Sequence, residues 1–223
     1  NWEKPAPGEE ARAKLKALAD YVRSQTPLAV ARVCVDSAPF PEREWAARAG
    51  IGWISRQGQI IHPDFGACLV LGELLVDLDL TPSPPVANQC EDCHRCMEAC
   101  PTGALQADGR LDARQCVSYL TIEHKGEIPP ELRGRMGAAL FGCDRCTAIC
   151  PWNRFGEDRA LTEFQPQPRP SATECLAMEE PEFQRRFAGT AVLRTGLARL
   201  QRNAAVALDN TPVSRPQNHK KTP

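Results

Sequence analysis

The stretch CEDCHRCMEACP, residues 90–101, places four cysteines and a closing proline within twelve positions. A shorter stretch of the same spacing, CDRCTAICP, follows at residues 143–151. The first has the spacing of bacterial ferredoxins with two 4Fe-4S clusters, in which the fourth cysteine binds the other cluster. A symmetric second copy would have a cysteine at position 140, where this chain has Leu140. The two stretches therefore predict a two-cluster module whose second motif lacks one ligand.

Disulfides and zinc sites are the alternative explanations for a chain with eleven cysteines. A disulfide scaffold is usually shorter and spreads its cysteines over loops, whereas seven of the eleven lie in the two motifs. Zinc is the more serious alternative. Its sites usually combine two Cys-x-x-Cys pairs, or cysteine with histidine, and seldom a run of four cysteines closed by proline. Iron–sulfur ligation is therefore favoured.

The ferredoxin pattern divides the cysteines into two sets of four. The first cluster is predicted to take three cysteines of the first motif and the last of the second: Cys90, Cys93, Cys96 and Cys150. The second cluster takes the remaining motif cysteines and the nearest unused cysteine in sequence: Cys100, Cys143, Cys146 and Cys116. His94 lies between ligands and is expected to face solvent. The cysteines left over are expected to be small buried hydrophobic residues: Cys34, Cys68 and Cys175.

Helix and strand patterns alternate over residues 1–86, which predicts an α/β unit in a protein of the α+β class. The expected elements are a helix, a strand, a second helix and two more strands, at 9–24, 28–35, 41–49, 59–62 and 68–76. The stretch TPSPPV at 81–86 is expected to link this unit to a cluster module at 87–170, with helices between the two cysteine motifs.

The C-terminal region, residues 171–223, follows the proline-rich stretch PQPRP and is expected to contain two helices, at 172–188 and 192–208. From residue 183 onward it has eight Lys or Arg against one acidic residue, Asp209. A basic helical surface is typical of phosphate binding, and a solvated face with a basic tail is an equal alternative. The arginines expected to contact phosphates are Arg194, Arg199 and Arg202.

Composition excludes some classes of protein. The net charge is -1 and charged residues make up 25% of the chain, so the chain as a whole is neither strongly basic nor strongly acidic. The longest apolar run, Ala67 to Val76, is interrupted by Gly72 and Glu73 and is too short to span a bilayer. No membrane role is expected.

Several stretches together resemble the epoxyqueuosine reductases, cobalamin-dependent iron–sulfur enzymes of tRNA queuosine modification. Besides the two cysteine motifs with Cys116 between them, these stretches are VDSAPFPEREWAARAGIGWI (35–54), IHPDFGACLVLGELL (61–75), SYLTIEHKGEIP (118–129), FGCDRCTAICPWN (141–153) and RNAAVALDN (202–210). In this family the cysteine before SYLTIE supplies the ligand that the second motif lacks.

The resemblance implies a corrinoid-binding unit at 1–86 and the start of a HEAT-like helical repeat at 171–223, incomplete here. The implied reaction reduces epoxyqueuosine, at the wobble base of tRNA, to queuosine, with two 4Fe-4S clusters and cobalamin as cofactors. The implied partners are a tRNA with a queuosine-type anticodon and an external electron donor, and we expect a cytoplasmic monomer. The family has a longer N-terminal lobe, so the chain is expected to lack part of it.

Asp36 matches the acid of the family and is expected to protonate the leaving oxygen, which requires a raised pKa. Its position after a strand suits ligand binding in open α/β folds. By itself, DSAP is more often a turn or helix cap. Arg43 matches a basic residue beside the corrinoid, although an exposed helical Arg is most often only solvated. Weaker candidates for corrinoid contact are His62 and Ser118, for which core or turn roles are equally expected.

Two further features of the resemblance concern single stretches. Trp152 follows Pro151 and could shield a cluster from water, although Trp is also ordinary core material. The family segment after GW reads close to GKNT, whereas this chain has Ser-Arg-Gln-Gly at 55–58. That departure makes a phosphate or corrinoid-tail contact there doubtful.

Two functions from other classes remain open at the level of sequence. An electron-transfer module would explain the clusters but not VDSAP, the α/β unit or the basic helices. A reductive dehalogenase also combines a corrinoid with two clusters, but the basic C-terminal region argues against it.

Overall fold

The computed structural model describes residues 3–4, 6–26, 30–36, 38–155 and 165–211. Within these ranges the α-helices are α1 (Pro7–Gln25), α2 (Glu42–Arg48), α3 (Arg95–Glu98), α4 (Val117–Ile122), α5 (Pro130–Met136), α6 (Arg145–Ala148), α7 (Ala172–Ala177), α8 (Glu180–Phe187) and α9 (Leu197–Asp209). Short 3-10 helices occupy Ala113–Gln115, Pro151–Phe155 and Ala191–Thr195. The strands are β1 (Glu3–Lys4), β2 (Ala31–Cys34), β3 (Trp53–Ile54), β4 (Ile60–Ile61), β5 (Glu73–Val76) and β6 (Gln165–Pro166). The prediction of a mixed helix and strand protein is confirmed.

The described strands form three antiparallel pairs: β1 with β6, β2 with β5, and β3 with β4. In the second pair Cys34 lies opposite Glu73 and Ala31 opposite Val76. After β2 the chain forms α2 and the β3–β4 hairpin and then returns as β5, which runs in the opposite direction to β2. Antiparallel pairing of this kind does not need the crossover that parallel strands require. Helix and strand therefore alternate as predicted at 1–86, but the analogy with open parallel sheets does not hold for the described residues.

The predicted elements of the N-terminal region differ from the observed ones mainly in the strands. The predicted helices at 9–24 and 41–49 are α1 and α2, and the strand at 59–62 is β4. Of the strand predicted at 28–35 the structure has β2, while residues 27–29 lie outside the described ranges. The strand predicted at 68–76 pairs only from Glu73 onward, because β2 ends opposite that residue and the chain then turns at Asp36.

Both helices predicted in the C-terminal region are interrupted. The first, at 172–188, is wrong as a single helix, because Met178 is extended with ψ 137° and α8 restarts with a proline in its first turn. The second, at 192–208, divides at Gly196, whose φ of +78° favours glycine and separates a 3-10 turn from α9. A proline and a glycine thus set both boundaries.

The C-terminal helices share their core with the helices between the two cysteine motifs. One buried cluster combines Phe141 with side chains of α7, α8 and α9, including Phe183 and Leu200. A second cluster packs Val206 of α9 against α4 and α5. The predicted incomplete repeat therefore has neighbours on its buried face, supplied by the segment between the cysteine motifs, while residues 212–223 lie outside the described ranges.

A third, smaller core lies beside the cysteine motifs and contains Trp53, Ile61 and Ala67. The start of the chain is tied to the C-terminal region, since β1 pairs with β6 and the Ala6 N–H donates to the Gly189 carbonyl at 3.0 Å. Among the described helices, none is both long enough and apolar enough to cross a membrane.

Candidate functional site

Each cysteine motif folds as a loop followed by one turn of helix. The first loop is closed by a hydrogen bond from the Cys93 N–H to the Cys90 carbonyl at 2.8 Å, and α3 follows it. Both copies end alike, because the N–H groups of Cys100 and Cys150 each donate to a carbonyl three residues earlier, at 3.1 Å. The one-turn helices α3 and α6 pack against each other. The repeated spacing therefore folds into two similar units in direct contact.

The first group of thiols joins three cysteines of the first motif with one of the second. Burial raises the pKa of Cys96, and the nearby thiolates of Cys90 and Cys93 raise it further. Burial also raises the pKa of Cys150, to which the same two thiolates again contribute. Such repulsion requires proximity. The four predicted ligands of the first cluster therefore lie together.

The second group contains the cysteine from outside the motifs. Burial raises the pKa of Cys143, and the Cys116 thiolate adds to this rise. The pKa of Cys146 is raised by burial and then by the charges of Cys143 and Cys116. Cys100 lines the same cavity of about 160 Å³ as these three residues. The four predicted ligands of the second cluster thus surround one cavity.

Cys100 differs from the other thiols in its hydrogen bonds. Burial alone would raise its pKa, but the backbone of Leu105, Thr102 and Ala104 and the Thr102 hydroxyl together lower the pKa below the ordinary value. The Thr102 Oγ1 lies 3.7 Å from the Cys100 Sγ. Hydrogen bonds to the charged form favour a thiolate, the form that binds metal.

Leu140 occupies the position where a symmetric second motif would have its first cysteine. Its side chain packs against the core of the C-terminal helices. Its carbonyl accepts a hydrogen bond from Asn203 Nδ2 at 2.8 Å, and the Gly142 N–H donates to the Thr121 hydroxyl at 3.0 Å. This part of the chain is therefore fixed to α4 and α9. The second motif thus has a leucine in place of the missing cysteine, at the point where the chain packs on the core of the C-terminal helices.

The two thiol groups differ from a site for a single ion. Within the described residues, no three His, Cys, Asp or Glu side chains converge on one point as ligands of one metal ion do. A 4Fe-4S cluster has an iron at each of four corners and one cysteine per iron, so its ligands surround a volume. Four cysteines around one volume are the arrangement that a 4Fe-4S cluster requires.

The three cysteines outside the two groups, and His94, had a predicted burial or exposure that the structure tests. Cys34 and Cys175 are buried and His94 is exposed, as predicted. The prediction for Cys68 is wrong, because this residue is exposed. It follows the buried Ala67 directly after a turn, where no strand or helix covers its side chain.

Trp152 lies beside the first thiol group. Its ring packs edge-on against the buried Trp53, with 4.9 Å between ring centres. Both rings belong to the small core that Cys90 and Cys150 also contact. Trp152 therefore covers one side of the first thiol group, which supports the predicted shielding role.

A larger cleft, of about 800 Å³, opens next to the thiol groups. Its walls come from five separate parts of the chain: the start of α1, the β2–α2 turn, the β3–β4 turn, the segment before β5, and the 3-10 turn before α9. Three arginines line it: Arg12, Arg43 and Arg194. Gln59 lines both this cleft and the smaller cavity, so the two spaces adjoin.

Asp36 lines the cleft and is exposed. Its φ is +53°, an uncommon value for a residue other than glycine. The Asp36 N–H donates to Glu42 Oε1 at 2.6 Å, and Arg12 Nη2 donates to the carbonyl of the preceding Val35 at 3.1 Å. Pro41 is the N-cap of α2, so Asp36 does not cap this helix. The backbone turn is held in its uncommon conformation by side chains on both sides.

Arg43 also lines the cleft, as the resemblance implies. Its Nη1 donates to the Gly58 carbonyl at 2.5 Å, in the turn that joins β3 and β4. Arg43 therefore has a defined structural partner and is not simply a solvated helical residue.

The two weaker candidates lie elsewhere. His62 lines neither of the two cavities: its Nδ1 accepts from the Asp64 N–H at 3.0 Å and its ring packs on Phe65, with 4.6 Å between ring centres. These are the contacts of a turn residue. Ser118 lines the smaller cavity beside the second thiol group, not the cleft.

The arginines expected to bind phosphate have intramolecular partners. Arg199 Nη1 donates to the Ile122 carbonyl, and Arg202 donates to the carbonyls of Leu120, His124 and Gly126 at 2.5–2.8 Å. Burial lowers the pKa of Arg202, with a smaller contribution from Arg199. The expectation that these two bind phosphate is therefore wrong. Arg194 is 61% exposed and pairs with Glu123 at 2.9 Å.

Sequence reasoning missed three residues that the structure places at these sites: Arg12 and Glu42 at the cleft and Gln57 at the smaller cavity. Burial and then the Glu42 charge raise the pKa of Glu73, whose Oε2 is buried with no hydrogen-bond partner among the described residues. Helical spacing predicted the apolar face of α1, but it could not show that Arg12 contacts the Val35 carbonyl. For Gln57 the only signal was the departure from the family pattern at 55–58.

Comparison with known proteins places this geometry in context. The family model described as a 4Fe-4S double cluster binding domain matches residues 89–153. An epoxyqueuosine reductase of Yersinia pestis is 46% identical over 184 residues, covering 81% of this chain and 45% of that protein. A solved epoxyqueuosine reductase with an epoxyqueuosine-modified tyrosine tRNA stem loop is similar with a TM-score of 0.88 and 33% identity, covering 94% of this chain and 56% of that one.

The Bacillus subtilis epoxyqueuosine reductase, solved with its catalytic aspartate loop swung out of the active site, has a TM-score of 0.87 and 32% identity, and the match again covers 94% and 56% of the two chains. The chain thus spans about half the length of the relatives it matches. Sequence identity, fold and cysteine module all agree. The resemblance predicted from the motifs is confirmed: the chain is a relative of the epoxyqueuosine reductases.

Proposed function

We propose that this chain carries the cluster-binding and acid-bearing part of an enzyme that reduces epoxyqueuosine in tRNA to queuosine. The observation that carries the proposal is the position of Asp36 in a cleft that adjoins, through Gln59, the cavity surrounded by the second group of four cysteines. The reaction consumes two electrons and two protons: both C–O bonds of the epoxide break, a C=C bond forms, and the oxygen leaves as water.

The cysteines would hold two 4Fe-4S clusters, which supply electrons one at a time. One cluster takes the first thiol group, Cys90, Cys93, Cys96 and Cys150, and the other takes Cys100, Cys116, Cys143 and Cys146. Support comes from the cavity that the four cysteines of the second group line, from the small core that Cys90 and Cys150 both contact, and from the Thr102 hydroxyl beside the Cys100 sulfur. The second group adjoins the cleft through Gln59, which makes its cluster the nearer electron donor.

The cleft would hold cobalamin, whose cobalt, when bound, supplies the redox chemistry at the substrate. Its volume of about 800 Å³ lies in the upper part of the range for small-molecule sites. The lining fits an amphipathic ligand with many amide groups, because it combines apolar residues such as Phe40 and Leu71 with the guanidinium groups of Arg12 and Arg43. Ser118 and His62 lie outside this lining, so the proposal does not include them.

Asp36 would donate the proton to the departing epoxide oxygen. It faces the cleft from a backbone conformation that needs external support, and such strain is concentrated at functional sites. Glu42 and Arg12 supply that support through the hydrogen bonds on either side of the residue. Asp36 is then the catalytic residue, and Glu42 and Arg12 position it.

The proposed substrate is tRNA with a queuosine-type anticodon, and the proposed partner is an external electron donor in the cytoplasm. The support for tRNA is the relative solved with a modified stem loop. In this chain, Arg194 lies at the cleft margin and is largely exposed, so it is the best-placed of the predicted arginines to meet a phosphate.

The experiment uses the full-length protein that contains this chain, purified without oxygen. We expect about eight irons per chain, as two 4Fe-4S clusters require, tight binding of cobalamin, and conversion of an epoxyqueuosine stem loop to the queuosine form. Eight irons without cobalamin binding or conversion would identify an electron-transfer module instead. Bound zinc in place of iron would contradict the cluster assignment itself.

A further inference from the structure

The turn between β3 and β4 lies between the cleft and the cysteines. It is tight, because the Ser55 N–H donates to the Gln59 carbonyl at 2.9 Å and Gly58, at φ +78°, donates to the Ser55 carbonyl at 2.8 Å. Arg43 fixes the turn from the cleft side through its bond to the Gly58 carbonyl. The residues of this turn therefore have well-defined positions.

A second arginine fixes the same turn from the cysteine side. Arg56 Nη2 donates to the carbonyl of Glu91, within the loop between Cys90 and Cys93, at 2.7 Å. The turn is thus attached at one end to the first cysteine motif and at the other to α2. Between these two attachments lies Gln57.

Gln57 is buried, with 6% of its surface exposed, and lines the cavity of about 160 Å³ that the second thiol group surrounds. Its Oε1 is fully buried and has no hydrogen-bond partner among the described residues. Burying an amide without a partner is unfavourable. The surrounding protein therefore does not satisfy this side chain, and the cavity is where a partner would lie.

The chemistry of the cavity indicates which end of the amide it favours. The two ends of a glutamine amide exchange by a rotation, so either the NH2 group or the oxygen can face the cavity. Thiolates and the sulfides of a cluster accept hydrogen bonds and do not donate them. A cluster in this cavity would therefore orient the NH2 group toward its sulfur atoms.

We propose that Gln57 donates a hydrogen bond to a sulfur of the cluster held by Cys100, Cys116, Cys143 and Cys146, and so raises its reduction potential. A donor beside cluster sulfur stabilises the additional negative charge of the reduced state, and hydrogen bonds of this kind help to set cluster potentials. Gln57 lines the cavity of the second thiol group, whereas Arg56 reaches the first motif, where its Nη2 donates to a backbone carbonyl and its Nε is also buried without a partner among the described residues. The effect is specific for the cluster beside the cleft.

The inference rests on the proposed cluster ligands but not on the substrate of the reaction. Its test is a redox titration of the full-length protein followed by electron paramagnetic resonance, which measures both clusters separately. Gln57→Leu removes the donor at similar size. We expect the potential of one cluster to fall by about 59 mV, corresponding to a tenfold change in its reduction equilibrium for one electron, while the other is unchanged.

Two further variants separate tuning from a general structural effect. Gln57→Glu keeps the size but removes the NH2 group, so it should also lower the potential of the same cluster. Gln184→Leu, on α8 and outside both cavities, should leave both potentials at the parent values. An exchangeable-proton signal of the reduced cluster, measured by electron nuclear double resonance, should disappear in Gln57→Leu.

The outcomes distinguish the inference from the cluster assignment. Eight irons in the parent and in Gln57→Leu, with identical potentials, would overturn the role of Gln57 and leave the clusters in place. A parent protein without iron–sulfur clusters would overturn both. Equal shifts of both clusters, or a shift in Gln184→Leu, would also contradict a specific hydrogen bond from Gln57.

Discussion

The cysteine groups and the Asp36 cleft adjoin each other, yet the chain builds them in opposite ways. Seven of the eight predicted ligands lie in two short motifs, each of which folds locally into a loop and one turn of helix. The cleft takes its walls from five segments that span the chain from the start of α1 to the turn before α9. A locally encoded site tolerates changes elsewhere, whereas a site assembled from distant segments depends on the packing of the whole molecule.

The largest effect is expected for a substitution that impairs catalysis in the cleft and leaves the cysteine groups intact. In the full-length protein, Asp36→Asn should reduce turnover by about 10²–10⁴-fold, the usual contribution of a general acid. Iron content should not change, because Asp36 belongs to neither predicted ligand set, and cobalamin should still bind, because asparagine has nearly the same size and shape as aspartate. Turnover of a modified stem loop measures the function of the cleft, and iron analysis measures the integrity of the cysteine groups. Near-normal turnover would leave Asp36 as a turn residue only.

The next effect concerns packing between the distant segments. Arg202→Met should destabilise the fold by about 2–4 kcal/mol, because charge-assisted hydrogen bonds to three backbone carbonyls are lost and two of those carbonyls, of Leu120 and His124, remain partly buried. Denaturant unfolding measures this free energy. Arg185→Met, on the exposed side of α8, is the matched control and should change it little. Equal stability of the two variants would contradict the structural role of Arg202.

A smaller effect divides the cysteine groups themselves. Cys116→Ser should leave about four of eight irons, because this residue comes from outside the motifs and completes only the second group. The spectrum of the first cluster should persist. Cys175→Ser, a change at a buried cysteine outside both groups, should keep the full iron content. Loss of all iron in Cys116→Ser would show that the two groups are not independent.

The smallest effect lies at the edge of the cleft. Arg194→Gln should weaken binding of an anticodon stem loop modestly and reduce the salt dependence by about 0.7–0.9 log units per log unit of salt, the value for one phosphate contact. Stability should be nearly unchanged, since the Glu123 ion pair of this arginine is exposed. Filter binding at several salt concentrations measures the slope. An unchanged slope would remove Arg194 from the proposed tRNA surface.

What could be predicted from the sequence follows the same division. Motif spacing predicted seven of the eight ligands, and Cys116 was added as the nearest unused cysteine and from the resemblance; the second set surrounds one cavity in the structure. Asp36 and Arg43 were found by resemblance, and both line the cleft. The phosphate contacts predicted for Arg199 and Arg202 rested on a count of charges, which does not show the partners of each charge. In the structure both arginines donate hydrogen bonds to carbonyls of α4, and Arg202 also donates to the loop after it. The antiparallel pairing of β2 with β5 was missed because hydrophobic pattern does not specify strand direction.

Gln57 illustrates why the remainder could not be predicted. A glutamine in a polar turn gives no sign of burial, and its environment depends on where the β3–β4 turn lies relative to the second thiol group. That position is set by Arg43, which reaches the turn from α2, and by Arg56 of the turn itself, which reaches the first cysteine motif. Pairwise contacts of this kind are visible only in three dimensions.

The crossing of Cys100 and Cys150 between the two groups has a consequence for how the protein matures. If each group binds a cluster, each cluster cross-links both motifs, and the first one closes a loop of about 60 residues from Cys90 to Cys150. Neither cluster can be completed until α3 and α6 have docked, and the segment between them, which carries α4 and α5, is confined by the same bonds. Cluster assembly and folding are then one event, so iron supply during synthesis would limit the yield of folded protein.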